Sequence, residues 1–219
     1  MKLAIAAILA GVLAVGGYVG YQKYETSKLI AAITPHVKNA SIRVQNSTRF
    51  ETESDSKATF KEVFERLEVD IAEIEKHLIE VQTLTNPKTA AIAEPSIRYL
   101  KDSQEYLRAL LQKFRRILKL SSASDRTAEA IADMRSSSGY GFDYERRRAD
   151  KAIEELKEAE NEARDAKPEL AAAARKLIES SNALQGSLAA DSLVPIAQLQ
   201  AVADRNSPTP AAGASAPKQ

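Results

Sequence analysis

The chain has 219 residues, 44% of them apolar, and its 31 basic and 30 acidic side chains leave a formal net charge of +1. It has no Cys, no Trp and two His, which excludes disulfides, thiolate metal sites, iron–sulfur clusters and cysteine nucleophiles. The length suits one domain, the apolar content excludes wholesale disorder, and the balanced charge gives no global pull toward nucleic acid.

Alanine supplies more than a third of the apolar residues. It favours helix strongly but buries little area, so a helical bias and a modest stock of large hydrophobes are expected.

Residues 3–21 read LAIAAILAGVLAVGGYVGY, without a charged or strongly polar side chain. As a helix this run spans roughly 28 Å at ~1.5 Å per residue, close to a bilayer core. A cleaved signal peptide and a retained anchor compete, and Ala14-Val15-Gly16 offers a small-x-small cleavage pattern. The run exceeds the usual ~7–15 residue signal core. Tyr18, Tyr21 and Tyr24 with Lys23 have the look of an interfacial belt. A retained single-pass anchor over residues 1–24 is therefore expected. The flanking cations are nearly balanced, but the Met-Lys start favours a short cytoplasmic N-terminus with the bulk exported. Gly16 and Gly20 form a GxxxG that would allow two membrane helices to approach as a homodimer.

No alternating β-branched run is present, and helical spacing dominates the rest. Ile30, Ile33, Val37, Ala40 and Val44 predict a membrane-proximal helix, followed by a polar stretch through residue 59; residues 25–59 read as helix plus linker. Phe60, Phe64, Leu67, Ile71, Ile74, Leu78 and Val81 advance as three heptads, ended by Thr85-Asn86-Pro87. After Pro95, the positions Ile97, Leu100, Gln104, Leu107, Leu111, Phe114 and Leu118 keep the same spacing. Residues 51–86 carry 10 acidic and 4 basic side chains, and residues 97–119 carry 7 basic and 2 acidic. Matching heptads of opposite charge predict an antiparallel hairpin, with the charges selecting the partner and burial supplying stability.

The segment 136–142, SSSGYGF, is the clearest internal break, and Asp143 is a plausible N-cap beyond it. Tyr140 and Phe142 on this connector are candidate partner contacts, against the alternative that they fold back to cap the bundle. The helix after it has a seam rich in Ala and is expected to be held more weakly. Residues 60–186 thus read as a helical hairpin or bundle of three to four coiled-coil-like helices. Residues 187–219 read as weakly structured to disordered, with a short helix near 196–203. The fold class is all-α.

No catalytic triad, phosphate-cradling glycine loop or zinc-protease motif is present. His77 lies one turn from Glu73 and three residues before Glu80, but a di-iron bundle needs Glu-x-x-His on two helices. The other histidine, His36, stands far upstream. His77 is read as a solvated position beside the seam, with no metal, cofactor or catalytic site assigned. Arg146, Arg147 and Arg148 are interleaved with acids, so a solvated or ion-paired face is expected there and not a nucleic-acid surface. The expected role is a non-enzymatic scaffold or adaptor on the inner membrane of a bacterial-type envelope, with unidentified protein partners. The alternatives are a periplasmic ligand-sensing bundle, with Gln104 as its interior polar group, and a cytoplasm-facing membrane scaffold.

Overall fold

The structure, a computed structural model, describes residues 2–52, 59–87, 89–138 and 140–207; the side chains of residues 2–22, 52 and 140 lie outside that description. The regular elements among the described residues are all helical: α1 (Lys2–Thr52), α2 (Phe60–Thr83), α3 (Ala90–Ser136), α4 (Tyr140–Leu184), a 3-10 turn at Ala190–Ser192, and α5 (Ile196–Asn206). Among the described residues no helix is long and apolar enough to cross a membrane. The run 3–21, with Gly16, Gly20, Tyr18 and Tyr21, belongs to the stretch whose side chains are outside the description, while Lys23 and Tyr24 are exposed.

Helix α1 does not stop near residue 45. It continues to Thr52, past Pro35, because its buried stripe continues: Leu29, Ile33, Val37, Ala40, Val44 and Ser47 all face the core at helical spacing. Arg43 on α1 bonds Asp70 on α2, and His36, one heptad earlier, meets His77, one heptad later. The two helices are therefore antiparallel neighbours. The reading of the polar stretch before residue 59 as a linker is corrected as far as Thr52, which belongs to the same helix; residues 53–58 lie outside the described residues.

Thr59 opens α2 with a capping box. Its hydroxyl accepts from the Glu62 amide, and the Glu62 carboxylate accepts from the Thr59 amide at 2.7 Å. The Thr59 amide, and the Thr59 hydroxyl donating at 3.0 Å, hold the Glu62 carboxyl below its usual range. At the other end Asn86 and Thr89 exchange side-chain-to-backbone bonds of 2.8 and 3.2 Å across the turn into α3. Helix α3 starts at Ala90, five residues before Pro95, and runs 47 residues through the serine-rich stretch 121–124 without a break.

Helices α2 and α3 pack as the predicted hairpin, but its seam is rotated. Leu67, Ile74, Val81, Leu100, Leu107 and Leu111 are buried as expected. Phe64, Ile71, Leu78, Ile97 and Phe114 are only partly buried against the core. Phe60 and Leu118 are exposed, a correction to the heptad reading. Phe60 is the first residue of α2, and its ring centre stands 6.1 Å from that of Phe64. Leu118 lies one turn along α3 from Arg115, which pairs with Glu68 at the solvent-exposed edge of the seam. In place of the Phe64 row, α2 turns Val63 and Asp70 fully inward. Helix α3 buries Tyr99, Tyr106 and Leu110 as well, because it packs against α1, α2 and α4 and needs a broad apolar face.

Helices α2 and α3 pair as the charge argument expects, but among the described residues α3 forms most of its inter-helix ion pairs with α4. Arg115–Glu68 joins α2 to α3, whereas Glu105–Lys176, Lys119–Glu162, Arg126–Glu155 and Asp133–Arg148 all join α3 to α4. These four advance in steps of fourteen, seven and seven residues on α3 and retreat by the same steps on α4, which is the register of an antiparallel coiled coil.

Helix α4 begins at Tyr140, three residues before the expected cap at Asp143, and passes Pro168 unbroken. Its end turns at Gly186, whose φ of +92° is a conformation that side-chain-bearing residues rarely adopt. The chain beyond it is not weakly structured. Leu188, Leu193, Val194, Leu199, Val202 and Ala203 are buried in the core, which corrects the reading of 187–219; residues 208–219 lie outside the described residues.

Candidate functional site

Three regions carry side chains whose arrangement exceeds simple packing. The first is a polar clasp in the core. Glu51 on α1, Lys113 on α3 and Asn206 on α5 converge, with side-chain exposures of 5% for Glu51 and 9% for Lys113. The Lys113 ammonium bonds the Glu51 carboxylate and donates to Asn206 Oδ1 at 2.8 Å. Asn206 Nδ2 donates to the same Glu51 carboxylate at 3.1 Å, and Arg205 donates to the Glu51 carbonyl. Close by, Thr48 and Tyr106 share a hydrogen bond of 3.0 Å, and burial pushes the Tyr106 phenol far above its ordinary range. Burial likewise raises Tyr99, whose hydroxyl accepts from the Val194 amide. These are neutral phenols that position chain segments and carry no charge near neutral pH.

The second region is the end of the α3–α4 hairpin. The candidate loop residues lie at its tip. Phe142 is 40% exposed and its neighbour Tyr144 is 69% exposed, so these two rings do not cap the bundle; the Tyr140 side chain is outside the described residues. Arg148 here is paired with Asp133 and Glu145, as the ion-paired reading of the basic run has it.

The third region joins α1 to α2 and was not assembled from the sequence. Asp70 is buried and accepts from Arg43 at 2.6 Å and from Ser47 at 3.1 Å. One heptad along both helices, His36 Nδ1 lies 3.2 Å from His77 Nδ1 and 3.0 Å from Glu80 Oε2, while His77 Nδ1 lies 3.6 Å from that oxygen. The three ligand-type atoms form a compact triangle that could hold a metal ion. His77 is not the solvated side chain expected: its side chain is 16% exposed and His36 is 23% exposed, while Glu80 is 58% exposed and opens the cluster to solvent. His77 occupies the heptad position after Val63 and Asp70, on the rotated seam. A signal was present: His36 and Arg43 stand seven apart on α1, as Asp70 and His77 do on α2, so one antiparallel register pairs both.

Gln104 is buried, but its amide reaches the Ile71 carbonyl and the Glu75 carboxylate, each at 3.4 Å, so it serves the α2–α3 contact. No protein-family model, curated protein sequence or solved structure matches the chain.

Proposed function

We propose that the chain is a non-enzymatic, single-pass membrane-anchored helical scaffold of a bacterial-type envelope, with its bundle on the exported side. The observation that carries this reading is the continuity of α1. The apolar run 3–21 and the bundle stripe that begins at Leu29 belong to one unbroken helix of 51 residues. The bundle would then stand about two helical turns from the bilayer, with no flexible joint between. The α3–α4 hairpin would project the exposed Phe142 and Tyr144 toward a protein partner. The extended helix faces suit holding other molecules by shape and charge.

The test is fractionation of the full chain carrying a C-terminal compartment reporter. Retention in the membrane through an alkaline wash, with reporter signal on the exported side, supports the reading. Release by the wash removes the anchor, and a cytoplasmic reporter signal reverses the topology. Gly16→Leu with Gly20→Leu, compared by crosslinking, reads whether two anchors pack together.

A further inference from the structure

We propose that His36, His77 and Glu80 form a binding site for one divalent transition-metal ion of the zinc class, which clamps α1 to α2. The ligand atoms are His36 Nδ1, His77 Nδ1 and the Glu80 carboxylate, with water in the remaining position.

Geometry is the first argument. Nitrogen and oxygen ligands bind zinc at about 2.0–2.2 Å, so two ligand atoms of a tetrahedral site stand about 3.4 Å apart. The three edges here are 3.0, 3.2 and 3.6 Å. One ion lying just off the plane of the triangle is therefore within bonding reach of all three atoms, without movement of either helix.

Protons satisfy the cluster poorly. Each imidazole nitrogen holds either a proton or one in-plane lone pair, never both. If His36 Nδ1 carries the proton, it must be shared between Glu80 and His77, with His77 Nδ1 left facing the carboxylate. If His77 Nδ1 carries it, the His36 lone pair faces the carboxylate at 3.0 Å. A metal ion accepts all three lone pairs at once. The His77 Nε2 edge is buried without a hydrogen-bond partner, so Nδ1 is the ring nitrogen turned to the cluster.

Chemistry selects the ion class. Two neutral imidazoles and one carboxylate suit zinc and its first-row neighbours, whereas magnesium and calcium prefer oxygen donors throughout. The exposed Glu80 side supplies both an entry path and room for water. Because His36 lies on α1 and the other two ligands on α2, the ion would bridge the helices one heptad from the Arg43–Asp70 pair. The site rests on side chains within the bundle and is independent of where the chain resides.

The experiment titrates the full, chelator-stripped chain with zinc(II) by calorimetry and with cobalt(II) by visible absorption. The expected result is one ion per chain at micromolar affinity or tighter, the intense cobalt bands of tetrahedral coordination, and no comparable binding of magnesium. His36→Ala and His77→Ala should each weaken zinc binding by more than about tenfold, and the exposed-site variant Glu80→Gln by about tenfold. His36→Cys keeps a ligand and places the only thiol of the chain at the site. It should retain binding and add thiolate-to-cobalt charge-transfer absorption, which a merely structural histidine could not produce. Absence of saturable zinc binding in the wild-type chain, or unchanged affinity in Glu80→Gln and His77→Ala together, overturns the proposal. So does His36→Cys binding cobalt without the charge-transfer band.

Discussion

The two halves of α3 lie in different surroundings. From Ala93 to Leu111 the helix buries Tyr99, Leu100, Tyr106, Leu107 and Leu110 among α1, α2 and the C-terminal half of α4. Beyond Leu118 its ion pairs and hydrogen bonds to other helices, among the described residues, run to α4, and the buried positions become Ala123, Thr127 and Ala130, facing Ala149 and Ala159. Thr127 Oγ1 reaches the Ala152 carbonyl at 3.0 Å, a side-chain-to-backbone bond across the two helices that needs a close approach. The hub is held by large apolar side chains and a buried polar clasp. The arm is held by small side chains at short range and by ion pairs at heptad spacing. Alanine seams permit close packing but remove little apolar area from water, so the arm gains less per layer. Ion pairs in reach of solvent add only ~0.2–1 kcal/mol each, so they set its register more than its stability.

The sharpest way to break this contrast is at the clasp. Lys113→Met leaves the Glu51 carboxylate buried without its cation and should cost about 3–5 kcal/mol. Chemical denaturation measures the loss, and a cost below about 1 kcal/mol would show that the clasp is incidental. Leu107→Ala in the hub should cost about 2–5 kcal/mol. Ala130→Leu in the arm, where the seam has no room, should cost about 1–3 kcal/mol by overpacking. Hydrogen exchange should locate the Ala130→Leu effect in residues 118–160 and spread the Leu107→Ala effect across the hub. Equal spreading in both variants would abolish the distinction between the halves.

Smaller effects sharpen the register. Arg126→Glu should lose up to about 1 kcal/mol, and adding Glu155→Arg should restore it, since the pair is exposed and reversible. A double variant no better than the single one would remove this pair from the register argument. Asp102 offers a test by pH. Burial holds its carboxyl above the usual range, against the lowering effects of Ser180 and Arg98. A carboxyl whose folded pKa exceeds its unfolded one disfavours folding while ionised, and the penalty fades as pH falls through the raised value. Asp102→Asn should therefore gain no more than about 1 kcal/mol near neutral pH, discounted for the nearby solvent, with the gain shrinking in acid. A gain that grows on acidification contradicts the assignment. At the tip, Phe142→Ala with Tyr144→Ala should leave the melting temperature unchanged, because neither ring is buried. A clear drop would assign them to packing.

Much of this was legible along the chain. The heptads of α2 and α3, the break before Tyr140, the absence of strands and the alanine seam of α4 follow from periodicity and propensity, which are local properties. The packed C-terminal segment was also written there, in the spacing of Leu199, Val202, Ala203 and Asn206, but the polar composition around it outweighed the pattern. Which charged face meets which was not legible. A basic helix between two acidic ones is complementary to both, and long-range packing decides between them. The rotated seam of α2 has the same origin: Val63, Asp70 and His77 form as regular a heptad row as Phe64, Ile71 and Leu78. Only the presence of Arg43 and His36 on α1 makes the polar row the buried one.

The sequence by itself determined the helices, because hydrophobic period, capping residues and breakers act over a few residues. The tertiary structure decided the register between them, because an antiparallel pair can slide by whole heptads without changing its pattern. That register turns two histidines 41 residues apart into neighbours, and joins the ends of α1 and α5 to the middle of α3 through one buried carboxylate.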